Sequence, residues 1–378
     1  MGTLLLRAVG DNLLHRQIYE SARIPDGYDF SSLYEHVRPL IREADIAVLN
    51  QETILVLDER RVSSFPVFGT PASIAEAIAD AGFHVITHAS NHALDKGYSA
   101  IQETAAVWKR HADRIVCTGI HTTREDSDRI RVVEKNGIRV AFLNYTALLN
   151  FHPIPPAHPR CVDVMKPYTR GRIRRQIRQA RSQADIVAVF PHWGCEYLYE
   201  PVPAQKAWAA FLAESGADII IGTHPHVLQY TEVLRTRDGR RVPCFYSLGN
   251  FVSCQINQGT MLGGMADVVI EKGPRGTGIS RAGLIPLVTH AEKDFRRFSV
   301  YPLSEYTDEL SGQNQIFTEM AGYTGTRLDT FSLHQLYHDI LNRQAMRDSW
   351  YKTPGDVRKQ NLIGVWHAMI RGLKKVGK

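Results

Sequence analysis

Asp218-Ile219-Ile220-Ile221-Gly222-Thr223-His224-Pro225-His226 sets a short apolar, strand-like run directly against a polar exit that carries two histidines. Just before it, Ala204 to Ser215 has apolar positions at helical spacing, so the unit reads helix, strand, then polar loop. The unit recurs upstream. Thr3 to Val9 runs into Gly10 and Asp11, Ile46 to Leu49 into Asn50 and Glu52, His84 to Thr87 into Asn91 and His92, and Asp185 to Phe190 ends at His192. Helices are expected between them at Leu33 to Arg42, Ser73 to Ala81, Tyr98 to His111 and Arg172 to Ser182. Such alternation defines an α/β architecture with a mainly parallel sheet, in which ligands bind beyond the carboxyl ends of the strands.

Away from these units the pattern changes. Asn136-Gly137 divides the β-rich runs within Ile130 to Leu143, and Arg237-Asp238-Gly239 precedes Val242 to Tyr246, so both read as hairpins and the sheets are expected to be mixed. Further strand-like runs follow at Ala266 to Ile270, Gly283 to Val288 and Phe298 to Pro302. Beyond Leu303 a polar segment rich in Gly, Thr and Gln leads to helices expected at Leu333 to Trp350 and Val357 to Val376. The expected division is therefore a main domain over residues 1–303 and a helical C-terminal extension over 304–378.

Composition narrows the partners. A net charge of +6 and a pI near 9.0 favour anionic molecules, small or polymeric, and nothing marks a specific nucleic-acid interface. The five cysteines are an odd, scattered set with no CxxC pair, which suggests neither a disulfide framework nor a zinc ribbon and fits a reducing compartment. Leu4-Leu5-Leu6 is too short for a signal-peptide core, and no run approaches the ~20 apolar residues of a transmembrane segment. A cytoplasmic protein is expected.

Chemistry gathers at the strand exits. Alone, Gly10-Asp11 is an ordinary turn and Glu52 an ordinary solvated loop residue. Asn91-His92 with Asp95 offers an amide oxygen, an imidazole and a carboxylate within one turn, against the plainer reading of a helix N-cap. Trp193, after His192, reads as core packing. In Gly222-Thr223-His224-Pro225-His226, histidines two apart can face neighbouring metal ions while Pro225 stiffens the turn. Together these mixed nitrogen and oxygen donors suit one or two divalent transition-metal ions such as Mn, Fe or Zn. A carboxylate such as Glu52 can bridge ions about 3.5–4 Å apart and position a hydroxide for attack. Separately, Arg172, Arg174, Arg175, Arg178 and Arg181 crowd one helix. Arg174, Arg178 and Arg181 share a face that is either a substrate-binding stripe or an ordinary solvated surface.

Six strings in order resemble the bacterial capsule-synthesis CapA family, also called the poly-gamma-glutamate capsule (PGA_cap) family, of the calcineurin-like metallophosphoesterase superfamily. They are Gly10-Asp11, Asn50-Gln51-Glu52, Asn91-His92-Ala93-Leu94-Asp95-Lys96-Gly97, His192-Trp193-Gly194-Cys195-Glu196-Tyr197, Gly222-Thr223-His224-Pro225-His226-Val227 and Ser247-Leu248-Gly249-Asn250-Phe251. The resemblance implies a metallophosphatase-like two-sheet sandwich flanked by helices, with a metal cluster at one edge. It makes Asp11 and His226 ligands of one ion, Asn91, His192 and His224 ligands of the other, and Glu52 the bridge. His92 is similar to the superfamily's general acid, with Asp95 as its orienting partner. The superfamily's first motif is Asp-x-His, where this chain has Leu13, so His15 is the candidate replacement; Glu196 and Asn250 are further candidates to meet metal or substrate. Three activities are implied: hydrolysis of poly-gamma-glutamate or a related γ-linked peptide, phosphomonoester or phosphodiester hydrolysis, and a non-catalytic accessory role beside a capsule synthetase.

Overall fold

Side chains alternate along the first strand, and that alternation sets the layers of the molecule. In β1 (Gly2–Asn12), Leu4, Leu6 and Ala8 face a core shared with a second sheet, whereas Val9 belongs to a core beneath the helices. The structure, a computed structural model, describes residues 2–341 apart from 151, 275 and 326. Beside β1 run the parallel strands β2 (Ile46–Gln51), β3 (Val85–Thr87) and β4 (Val116–Thr118). The chain then builds the second sheet from β5 (Arg131–Lys135), β6 (Ile138–Thr146), β7 (Ile186–His192), β8 (Ile219–Ile221), β9 (Thr231–Arg235) and β10 (Arg241–Phe245). It returns to the first with β11 (Asn250–Val252), β12 (Leu262–Gly273), β13 (Gly276–Ala291) and β14 (Phe298–Pro302).

The first sheet runs β14-β13-β12-β1-β2-β3-β4 with β11 beside β1, and the second β9-β10-β8-β7-β6-β5. Both are mixed, because the hairpins pair antiparallel while β6, β7, β8 and β10 pair in parallel. Ile46, Val48, Phe142, Phe190, Ile219 and Phe245 fill the space between the sheets. Outside the first sheet lie α1 (Arg16–Ser21), α2 (Arg38–Glu43), α3 (Ile74–Ala81) and part of α4 (Gly97–Arg110). After the short α5 (Arg124–Asp128), α6 (Arg170–Gln183) and α7 (Pro203–Ser215) cover the second sheet with Ile173, Ile177, Ala209 and Leu212. The result is the two-sheet α/β sandwich flanked by helices.

Two expectations need correction. Leu33 to Arg42 is not one helix: a 3-10 turn covers Ser31–Tyr34, and α2 begins afresh at Arg38. Pro39 explains the break, since it lacks an amide hydrogen and is accepted only in a helix's first turn. The polar stretch after Leu303 is helical too, as α8 (Asp308–Gln313) and α9 (Gln315–Thr324), ahead of α10 (Thr330–Leu341). Thr307 and Asn314 cap α8 and α9 by accepting the amides of Leu310 and Ile316. Ile316, Phe317, Met320, Leu333 and Ile340 pack into the same core as Val9 and Leu49, so this extension shares the main domain's interior. The remainder of the expected helix to Trp350 and all of Val357 to Val376 lie outside the described residues. Among the described residues, no helix is long and apolar enough to cross a membrane.

Polar ties cross the sandwich where the apolar core ends. Asn144 of β6 accepts the amide of Ala89, just beyond β3, at 2.6 Å and donates to Phe190 O at 2.8 Å. Replacing it with Leu would leave a buried amide without its acceptor, at a cost of about 1–3 kcal/mol. Asn144→Leu should lower the urea midpoint with an unchanged slope; an unaltered midpoint would refute the tie. A second tie is ionic: buried His121 meets Asp163 at 2.7 Å and Asp126 of α5 at 3.5 Å, while Arg172 and Arg131 face those carboxylates. Burial opposes charge on His121, but Asp163 and Asp126 outweigh it and push the imidazole up to about 9 from 6.5. A raised folded value means stability fully present below pH 6.5 and lost as pH rises through about 9. Denaturation at stepped pH should show this decline, and His121→Asn should flatten it.

Candidate metal centre

Parallel pairing of β1 with β2 sets Asp11 opposite Asn50, and Glu52 follows just beyond the end of β2, its amide donating to Asn12 O. Asn50 Nδ2 donates to Asp11 Oδ1 at 2.8 Å. From the second sheet, His192 closes β7, and its backbone bridges to Thr223 in the loop after β8. That loop is bent sharply. His224 and His226 both have left-handed backbones, with φ of 97° and 60°, a conformation costing roughly 1–3 kcal/mol for a residue with a side chain. Within this turn the His224 amide donates to Asp11 Oδ2 at 3.1 Å, and the two imidazoles lie with ring centroids 5.8 Å apart. Gly10 permits the approach from below, since a Cβ there would stand 1.9 Å from Gly249 O.

The six expected ligands therefore converge. His226 Nδ1 lies 3.3 Å from Asp11 Oδ2, and its Nε2 lies 3.8 Å from Glu52 Oε1. His192 Nε2 is 2.7 Å from Asn91 Oδ1 and 3.8 Å from the same Glu52 oxygen. Two groups of donors result, Asp11-Glu52-His226 and Glu52-His192-His224, each with ligand atoms within 4.8 Å of one another, and Glu52 belongs to both.

The electrostatics of this cluster ask for a cation. Glu52 is fully buried, yet among the described residues neither of its oxygens has a hydrogen-bond partner, and His224 Nδ1 is likewise buried and unpartnered. An uncompensated buried carboxylate is costly, so burial raises the Glu52 carboxyl well above its usual range. Burial also opposes charge on His226, but Glu52 and Asp11 outweigh it and push the imidazole up to about 10. His192 and His224 are held down by burial and by neighbouring imidazoles. These donors, carboxylate, amide oxygen and imidazole, fit a first-row divalent ion.

Other residues take positions around the cluster. His92 Nδ1 meets Asp95 Oδ2 at 2.6 Å, and that same oxygen accepts the amide of Phe68 at 2.7 Å. Phe68 in turn packs edge-on against His92. Asn250 Oδ1 lies 3.0 Å from His226 Nδ1. Glu196, exposed at the rim, groups with His224 and His226 within 4.8 Å. His15 accepts the amide of Cys254 at Nδ1, 3.2 Å away, and packs edge-on against Phe68. Cys195 is exposed, and all five cysteines are free.

The arginine stripe is not brought to these donors. α6 packs on the outer face of the second sheet, where Arg174 stacks over Phe211 of α7. Arg181 bonds Gly216 O and Asp218, which stands at the amino end of β8, opposite the end that carries His224. Arg178 is exposed on the same helix. One residue that the sequence reading passes over is Asn150, whose Nδ2 lies 3.4 Å from His92 Nε2 and whose Oδ1 accepts from Asn91. Asn150 follows the carboxyl end of β6, so the strand-exit rule that found the other donors extends to it.

Fold and site thus define an α/β sandwich protein whose buried carboxylates and imidazoles meet where the two sheets open. The chain belongs to the bacterial capsule synthesis protein PGA_cap family, whose profile matches residues 5–255. It is 30% identical over 254 residues to the capsule biosynthesis protein CapA of Bacillus anthracis, covering 66% of this chain and 59% of that one. The PGA biosynthesis protein CapA of Bacillus subtilis is also 30% identical over 254 residues, with 65% and 62% covered. The chain accordingly spans less than two thirds of the length of these relatives. Among solved structures it is similar to the calcineurin-like phosphoesterase YfkN of Bacillus subtilis, with TM-score 0.43, 14% identity, and 89% of this chain and 99% of that one covered.

Replacing His224 and His226 together by Ala should abolish bound transition metal, measured by elemental analysis of the purified protein. Asp11→Ala should lose one ion selectively where the parent holds two. Metal content unchanged in the double variant would defeat the assignment.

Proposed function

We propose that this chain is a metal-dependent hydrolase of an anionic substrate, with poly-gamma-glutamate or a related γ-linked peptide as the foremost candidate. The observation that carries the reading is Glu52, buried with both oxygens unpartnered and shared between two groups of donors. In this reading Asp11 and His226 hold one ion, Asn91, His192 and His224 hold the other, and Glu52 reaches both. Bound divalent ions there would supply Lewis acidity and lower the pKa of a water molecule. The protein's own groups do the rest. His92 would hold a proton at Nε2 for the leaving group, while Asp95, anchored by the Phe68 amide, fixes the ring through Nδ1. Asn150 stands beside the same ring and accepts from Asn91. The net positive charge of the chain favours anionic substrates, and the names of the two CapA relatives support a capsule or poly-gamma-glutamate setting. Synthetase partners and a cytoplasmic location belong to the same proposal.

The deciding experiment loads the full chain with Mn, Fe or Zn and screens γ-glutamyl polymer against phosphomonoesters and phosphodiesters. Amide turnover confirms the reading; phosphoester turnover alone moves the activity to that class. Polymer binding without turnover of either would make the chain a binding accessory. In the active metal form, His92→Asn should keep its metal and lose about 10²–10⁴-fold in rate, the range for a general acid. Metal loss in that variant would instead make His92 a ligand.

A further inference from the structure

We propose that His15 donates a hydrogen bond from its Nε2–H to an oxygen of the substrate, and is not a ligand of the metal centre. The inference rests on the reading above only in placing the substrate over the donor cluster. Its basis is the direction of one hydrogen bond. Cys254 offers a backbone N–H to His15 Nδ1 at 3.2 Å, and a nitrogen that accepts an amide hydrogen carries no proton of its own. The ring is therefore neutral, with its hydrogen on Nε2.

A ligating histidine has the opposite arrangement: one nitrogen lends its lone pair to the metal while the other is set against an oxygen. His192 follows that rule, with Nδ1 3.0 Å from Thr223 Oγ1, and His226 does too, with Nδ1 3.0 Å from Asn250 Oδ1. His15 reverses it. To ligate through Nε2 the ring would have to shed its proton or give up Cys254.

The position of the ring suits a donor. Phe68 packs edge-on against His15 at 5.5 Å and against His92 at 4.7 Å, so one phenyl ring spaces the two imidazoles along a common wall. His15 is partly exposed, unlike the buried ligand candidates His192 and His224. In the proposal the hydrogen on Nε2 meets a ligand that enters beside His92. What it would select is an acceptor oxygen: a carboxylate, carbonyl or phosphoryl group.

Three measurements on the full chain test this, with Zn as the metal and inorganic phosphate and a γ-linked glutamate oligomer as probes. Histidine nitrogen NMR, with the His15 signal identified by its loss in His15→Gln, should show Nε2–H both with and without Zn. Zn content should be equal in the parent, His15→Phe and His15→Gln. Affinity for the probes should fall roughly three- to tenfold in His15→Phe, the scale of one neutral hydrogen bond, and recover in His15→Gln, whose amide also donates. An Nδ1–H tautomer, lowered Zn content in His15→Phe, or equal probe affinity in parent and His15→Phe would each overturn the proposal. A parent that takes up no Zn would refute the metal centre instead, and the tautomer and oligomer affinities would still decide the role of His15, since neither needs metal.

Discussion

The carboxylate of Asp11 has no exposure to water, and its two oxygens join the two sheets. Oδ1 takes the Asn50 amide from the neighbouring strand, and Oδ2 takes the His224 backbone amide from the opposing sheet. A desolvated carboxylate is tolerable only when such donors surround it. That requirement fixes the close of the sandwich at this edge: β1 must lie beside β2 in this register, and the loop after β8 must bend back far enough to offer an amide. The left-handed backbones of His224 and His226 are the local cost of that bend. Glu52 shares the same desolvated space with no hydrogen-bond partner among the described residues, which is why the edge is suited to hold a cation as well as to close the fold.

Much of this was legible in the chain. Apolar runs ending in Asp11, Glu52, Asn91, His192 and His224 are local patterns, and parallel strands necessarily bring such ends to one side of a sheet. Helices α3, α4, α6 and α7 and most of the strands follow from periodicity, whereas the three-residue β4 and β11 are too short to show one. Where the reading failed, the deciding contact was distant or overrode composition. The polar stretch holding α8 and α9 is helical because Ile316, Phe317 and Met320 find the core below them, not because its residues favour helix. Arg174, Arg178 and Arg181 do share a helix face, but which way that face looks depends on how α6 docks, and periodicity does not carry that. The orientation of His15 is set by Cys254, 239 residues away, and no local pattern records it.

The donors of the cluster are spread along the chain from Asp11 to His226, and Gly249 closes beneath Gly10 only after β10 has formed. Neither of the two groups that share Glu52 is contained within one sheet, since Asp11 and Glu52 come from the first and His192, His224 and His226 from the second. During synthesis the two groups that share Glu52, proposed above as the ion sites, can form only once His224 and His226 have emerged, however early the first carboxylates appear. In that proposal the sandwich must close before Glu52 is shared between the two groups, so selection of the ion is deferred to the finished fold.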